Sequence, residues 1–412
     1  MSAGGIAHIA PGRAAGHVTA PPSKSMAHRF LIGSALAEGE STIRHLVTSE
    51  DMLATSDCLR ALGASVEGLE SGCCTVRGFG GRPLSSAKTE RHLYCRESGS
   101  TLRFLLPLCL LDGVKSVLHG KGRLLSRPLG IYEELCRERG IFFEQNAECV
   151  TVCGRLTAGE YVMRGDVSSQ FITGLLFALP LLEGDSRIKL TTHLESRSYL
   201  DLTVDALRTF GICVEFVGER EILIPGGQHY RSVDATVEGD HSNAAFFGAL
   251  NALGGDVLVD GLREDSLQGD RVWKQHMDAL VEGSPTISLA DCPDLGPVLM
   301  AVAAAKQGAI FTDAARLKIK ESDRGAAMAE ELAAFGVSVN ISENGNIIRI
   351  PGGMLRAPNR VLNGHNDHRI VMSLAVLCTS TGGAITDARA VAKSMPDFFE
   401  MLTSLGISLS LV

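Results

Sequence analysis

The sequence predicts an α/β (α+β) protein of two domains, assembled from six copies of one helix-and-strand unit with three copies in each domain. Two periodicities carry that expectation. The phrases "ALGASV", "ERGIFF", "TFGICV", "AFGVSV" and "SLGISL" place Gly63, Gly140, Gly211, Gly336 and Gly406 at intervals of 77, 71, 125 and 70 residues. Each glycine ends a helical pattern and opens an alternating strand, as expected of a residue that enters the left-handed conformation without steric cost. "MDALVEGSPTISL", with Gly283, stands for the copy inside the longest interval. The second periodicity is a set of helix starts anchored on Lys24, Ser98, Ser168, Ser242, Asp294 and His368, spaced 74, 70, 74, 52 and 74 residues apart.

At 412 residues the chain exceeds the roughly 250–300 at which one core stops growing, which supports two domains. The crossing falls near "ATVEGD". The expected division is therefore 21–237 as one domain and 1–20 plus 238–412 as the other, with the first twenty residues adding one stray strand. Two chain crossings predict a hinge, held open by like charges until a dianion screens them. The chain shows no run of about 18 apolar residues and no charged-then-apolar leader, so a membrane span or secretory signal is not expected, and cytoplasmic localisation is. Its eleven cysteines lack C-x-x-C spacing and read as reduced packing residues rather than disulfides or a zinc site. A formal charge of −8 argues against a nucleic-acid partner.

Taken in order, the helix starts gather cations. "APPSKSMAHRFLIG" reads as a helix capped by Ser23, yet Lys24, His28 and Arg29 crowd the end where the macrodipole is already positive. Arg103 and Arg369 follow in later first helices, and Arg127, Tyr199, Ser196, Glu321, Arg324 and Lys393 recur twelve to fifteen residues before the repeat glycines, where second helices start. Helix N-termini offer unpaired N–H groups and a partial positive charge. Pooled in an acidic protein with Lys320, these residues imply a cationic pocket for small multi-anionic ligands. Singly, each has an ordinary reading: Lys24 as a solvated helix end, Arg369 of "NDHR" as a surface residue behind a cap, Arg324 as an exposed partner of Glu321 or Asp323. Their shared register argues against all of these at once. "GFGG" and "GKG" lack the context of a nucleotide loop, and Trp273, His276 and Met277 read as packing.

The motifs "SKSMAHR", "ESGSTLR", "SRPL", "SSQF", "KIKESDR", "NDHR" and "KSMPDFFE", in this order over nearly the whole chain, resemble the 5-enolpyruvylshikimate 3-phosphate synthase family of enolpyruvyl transferases. The resemblance implies a two-domain inside-out α/β barrel of βαβαββ units. It implies transfer of the enolpyruvyl group of phosphoenolpyruvate to the 5-hydroxyl of shikimate 3-phosphate through a tetrahedral intermediate, without metal or cofactor. It implies shikimate 3-phosphate contacts from Lys24, Ser25, Arg29, Ser168, Ser169, Gln170, Ser196, Tyr199, Asp294 and Lys320. The phosphoenolpyruvate contacts would be Lys24, Gly99, Arg103, Arg127, Gln170, Arg324, Arg369 and Lys393. A monomer inhibited by glyphosate is expected, with Gly99 leaving room for that inhibitor. A relative acting on a UDP-sugar would carry a reactive cysteine, but none lies between Cys109 and Cys136; a phosphate cyclase on the same repeat would need a nucleotide site.

Departures from the family pattern are Glu97 in place of an asparagine, Ser100 in place of a threonine and Arg316 in place of an asparagine. For proton chemistry, Asp294 is expected as the base at the hydroxyl, since its chain neighbours Cys292, Pro293, Leu295 and Pro297 are not acidic. Glu321 is expected to gain a proton beside bound phosphoenolpyruvate and deliver it to the methylene carbon, with Lys24 as the other candidate acid.

Overall fold

In the computed structural model, which describes residues 5–81 and 90–412, the recurrent glycines turn the chain as their spacing predicts. Gly63, Gly140, Gly211, Gly336 and Gly406 take φ values of 111°, 66°, 80°, 86° and 89°. The degenerate copy differs: Gly283 is extended, at φ −173°, so its helix stops without a left-handed turn.

The chain divides into a continuous unit, Pro22–Glu238, and a discontinuous one, Met1–Pro21 with Gly239–Val412. In the continuous unit three four-stranded sheets share one topology. A first strand runs parallel to a second, the second is antiparallel to the fourth, and the fourth is antiparallel to the third. Gly159–Met163, Ser186–Leu190, Glu215–Val217 and Glu221–Ile224 form one such sheet, and Glu90–Tyr94, Lys115–His119, Phe142–Gln145 and Cys149–Cys153 another. In the remaining sheet the first strand is Asp234–Thr236, which returns from the end of the unit to lie parallel to Glu40–Arg44.

The discontinuous unit repeats the pattern once in full, over residues 286–351. Its N-terminal segment supplies two strands in different sheets rather than one stray strand. Ile6–Ile9 lies antiparallel to both Gly383–Thr386 and Leu409–Leu411, filling the fourth-strand place. Ala15–Thr19 pairs in parallel with Asp256–Asp260 in a sheet of only two strands. That copy lacks its last two strands, which accounts for the interval of 52 residues in the sequence.

Each unit has its own apolar core. The first helices, including Lys24–Leu36, His241–Ala252, Gly296–Ala305 and His368–Thr381, are buried almost all round, which is why their sequences are apolar on every face. Second helices such as Arg197–Thr209 bury one stripe only. Lysines and arginines on these four helices are confined to the first two turns. Among the described residues no helix is long and apolar enough to cross a membrane.

Candidate active site

In the continuous unit the first-helix starts are capped by serines. Ser23 Oγ accepts from Met26 N, Ser98 Oγ from Thr101 N and Ser168 Oγ from Gln170 N, each satisfying a donor that has no intrahelical partner. Ser196 caps by position instead, fully buried in a left-handed conformation with φ 56°. Lys24, the first residue of its helix, donates to Asp51 Oδ2 at 2.9 Å, and both side chains are largely buried. Asp51 lies in the first turn of Glu50–Leu62, where a carboxylate is favoured.

Arg29 is buried, and all its nitrogens donate within the unit: Nε to Thr203 Oγ1, one terminal nitrogen to the Ser25 carbonyl and the other to the Tyr199 carbonyl. Burial lowers its pKa to about 10. It therefore ties together two helix starts that carry expected substrate contacts, Ser25 and Tyr199. Arg103 donates to Gln170 Oε1 at 2.7 Å, and Gln170 Nε2 donates to Ser100 Oγ at 3.0 Å, while Ser169 opens the same helix as Gln170. A Cβ on Gly99 would lie 2.7 Å from a terminal nitrogen of Arg127, so this guanidinium lies close against the helix start.

The discontinuous unit brings charges together rather than hydroxyls. Asp294 Oδ1 accepts from Lys320 Nζ at 3.0 Å and from Arg324 at 2.8 Å, and its other oxygen lies 4.0 Å from Arg369. Arg324, 1 % exposed, also donates to Glu321 at 2.8 Å and through Nε to Asp367 at 2.9 Å. Asp367 accepts from Ser322 Oγ and caps the next helix at Arg369 N. Arg369 donates to the Ser242 carbonyl, and Lys393 Nζ to the Asn366 carbonyl at 2.6 Å.

Burial would push the Asp294 carboxyl up, but Lys320, Arg324 and Arg369 outweigh it and hold it well below the usual carboxylate range. Burial, with Arg324 and Arg316 nearby, draws the Lys320 ammonium below its ordinary value despite Asp294. Arg324 goes up: Asp367, Glu321 and Asp294 more than offset its burial.

Several sequence-based expectations change here. Asp294 is not in a non-acidic neighbourhood, because Asp270 is buried close by. Burial and Asp294 push Asp270 up to about 7. In this unit acids and cations alternate, so its share of the expected cationic pocket is a compensated network. The ordinary alternative for Arg324, an exposed first turn, does not hold, since the residue is buried and Asp323 serves as the helix cap by accepting from Ala326 N. Arg127 and Lys393 do not begin helices: they end short 3₁₀ turns, ahead of Gly130–Glu138 and Phe398–Ser404.

Sequence reasoning missed Asp51, Asp270 and Asp367. Asp367 stood inside the quoted "NDHR", at the cap position, and a cap followed by a buried arginine was the signal available.

The profile of a family described as EPSP synthase (3-phosphoshikimate 1-carboxyvinyltransferase) matches residues 9–402. A Clostridium kluyveri protein named 3-phosphoshikimate 1-carboxyvinyltransferase is 41% identical over 420 residues, spanning 97% of this chain and 96% of its own. A Clostridium beijerinckii protein of the same name is 39% identical over 97% of both chains. A solved EPSP synthase structure from Acinetobacter baumannii superposes with a TM-score of 0.78 at 26% identity, covering 99% of this chain and 100% of that one.

Proposed function

Since the chain belongs to the EPSP synthase (3-phosphoshikimate 1-carboxyvinyltransferase) family, we propose how its two units divide that family's reaction. The reaction is transfer of the enolpyruvyl group of phosphoenolpyruvate to shikimate 3-phosphate with release of phosphate, a step of aromatic amino-acid biosynthesis. In the proposed route the acceptor is the 5-hydroxyl, and a tetrahedral intermediate forms by addition and collapses by elimination.

The continuous unit holds the acceptor. Ser25, Ser168, Ser169, Gln170, Ser196 and Tyr199, held in register partly by Arg29, offer hydroxyl, amide and helix-start N–H donors suited to a phosphate and a carboxylate. Lys24, Arg103 and Arg127 add charge for phosphoenolpyruvate beside Gly99. The discontinuous unit supplies Arg324, Arg369 and Lys393 to the phosphoenolpyruvate anions, and the acid–base groups.

The observation that carries this reading is the buried network around Arg324. It fixes Asp294 and Glu321 on one guanidinium, 2.8 Å to each. Asp294 stays ionised at neutral pH and so can accept the hydroxyl proton as the new C–O bond forms. Lys320, hydrogen-bonded to the same carboxylate oxygen, orients it. Glu321, once protonated beside the substrate's negative charges, delivers a proton to the methylene carbon. Lys24 protonates the departing phosphate.

The protein acts in this reading as a cytoplasmic monomer that glyphosate inhibits in competition with phosphoenolpyruvate. A phosphate-release assay with phosphoenolpyruvate tests it: turnover is expected with shikimate 3-phosphate and not with UDP-N-acetylglucosamine. Release with the UDP-sugar alone would overturn it.

A further inference from the structure

Seven residues after Arg324, on the same face of the Arg324–Ala334 helix, lies a second buried charge that the chemistry above does not use. Glu331 is fully buried, and its carboxylate accepts from Arg360 at 2.8 and 3.1 Å, from Asn363 N at 3.0 Å and from His365 Nε2 at 3.3 Å. The loop that supplies these donors then reaches Asp367, which meets Arg324. Arg360 and Asp367 are also seven residues apart. Helix and loop therefore match two charges against two opposite charges, with the loop running antiparallel to the helix.

Between those two anchors the backbone is forced. His365 and Asn366 both adopt left-handed conformations, φ 51° and 48°, a sparsely populated region for residues with a side chain. Local bonds keep the turn: His365 N donates to Asn363 Oδ1, and Asn366 N to Asp387 Oδ2. The outcome is that the Asn366 carbonyl meets Lys393 Nζ at 2.6 Å. Glu330, Glu331 and His365 could together be taken for metal ligands, since their donor atoms lie within 4.8 Å of one another. The bidentate hold of Arg360 on Glu331 makes the cluster an ion-pair anchor instead.

We propose that Glu331, acting through Arg360 and His365, is a positioning residue for the phosphoenolpyruvate-side cations. It holds residues 360–367 along the helix so that Asn366 sets the place of Lys393 and Asp367 that of Arg324. This rests on the reading that Lys393 binds phosphoenolpyruvate. Glu331 touches neither substrate in this scheme; its effect is on where one ammonium and one guanidinium group stand, and a misplacement of about 1 Å in such groups costs up to about 10²-fold.

The test compares Glu331→Gln, His365→Ala and Lys393→Ala by steady-state kinetics with each substrate varied. Glu331→Gln and His365→Ala are expected to raise KM for phosphoenolpyruvate by on the order of 10-fold, with KM for shikimate 3-phosphate changed less than about 2-fold. Adding His365→Ala to Lys393→Ala is expected to cost clearly less than the product of the two single effects, the remainder passing through Asp367 to Arg324. If Glu331→Gln does not fold, His365→Ala decides by itself. Unchanged KM for phosphoenolpyruvate in His365→Ala, or equal rises in both KM values, would overturn the proposal while Lys393→Ala still weakened phosphoenolpyruvate. If Lys393→Ala itself left that KM unchanged, the reading beneath the proposal would fall with it.

Discussion

The two units start from the same repeat and bury different chemistry at their helix starts. The continuous unit, with three complete sheets, places capping serines there and, beside the Lys24–Asp51 ion pair at its helix starts, runs an internal polar seam through neutral groups: His28 to Thr55, Thr55 to Thr101, Thr101 to Ser98. The discontinuous unit, with one copy cut to two strands, buries carboxylates against guanidinium and ammonium groups. Neutral hydrogen bonds are cheap to bury and suit recognition. Buried charge is costly unless each member is matched, and it suits proton movement and anion binding. On the reading proposed above, acceptor binding falls mainly to one unit and the proton transfers of Asp294 and Glu321 to the other, and substitutions in each should split accordingly.

The largest effect is expected in the discontinuous unit. Glu321→Ala should lower kcat by on the order of 10²-fold with little change in either KM, as for a lost acid–base group. A pure KM effect would make Glu321 only a partner of Arg324. In the continuous unit Ser169→Ala should do the converse, raising KM for shikimate 3-phosphate roughly 10-fold while kcat holds, because a hydroxyl to a charged group is worth about 1.5–3 kcal/mol. A kcat loss there would blur the division.

Asp51→Asn removes the carboxylate that holds Lys24 and should weaken phosphoenolpyruvate several-fold, on the order of 1 kcal/mol. Unaltered kinetics would show that Lys24 needs no such support. Gly99→Ala places a methyl against Arg127, so glyphosate inhibition should be lost and KM for phosphoenolpyruvate should rise a few-fold, roughly 0.5–1 kcal/mol, with turnover retained. Inhibition unchanged by this substitution would remove Gly99 from the inhibitor's contacts.

The smallest effect separates the units by sign of pH dependence. Burial, with Lys24 and Arg29 adding, keeps His28 well below the ordinary histidine value. Its unfolded form therefore binds more protons, and stability rises with pH up to the unfolded pKa of about 6.5. The hydrogen bond to Glu331 raises His365, so its contribution is present below about 6.5 and is lost as pH rises through the folded value. Denaturant unfolding of His28→Gln and His365→Asn between acidic and mildly alkaline pH should change the native slope in opposite directions. Slopes altered in the same direction would contradict these assignments.

Much of the fold was legible because repeat glycines and helix caps are local devices. Gly63 or Ser168 does the same work wherever the rest of the chain goes. What sequence could not supply was long-range completion. Nothing local in Ile6–Ile9 says that it fills a fourth-strand place beside Gly383–Thr386. The shortened interval before Asp294 was visible, but not that two strands were missing there. In the site, single residues at helix starts could be named, whereas their partners could not. Asp270 and Asp294 are 24 residues apart in sequence and reach each other only through packing. Arg324 could be named from its register, but nothing local says that Asp294 and Asp367 fold onto it.

The division of labour rests most heavily on Asp294, and single-turnover rate measured beside shikimate 3-phosphate affinity in Asp294→Ala tests it directly. The expected result is a rate at saturating substrates lower by on the order of 10²-fold or more, with shikimate 3-phosphate binding weakened only a few-fold. A near-native rate with strongly weakened shikimate 3-phosphate binding would contradict the account and make Asp294 a positioning residue.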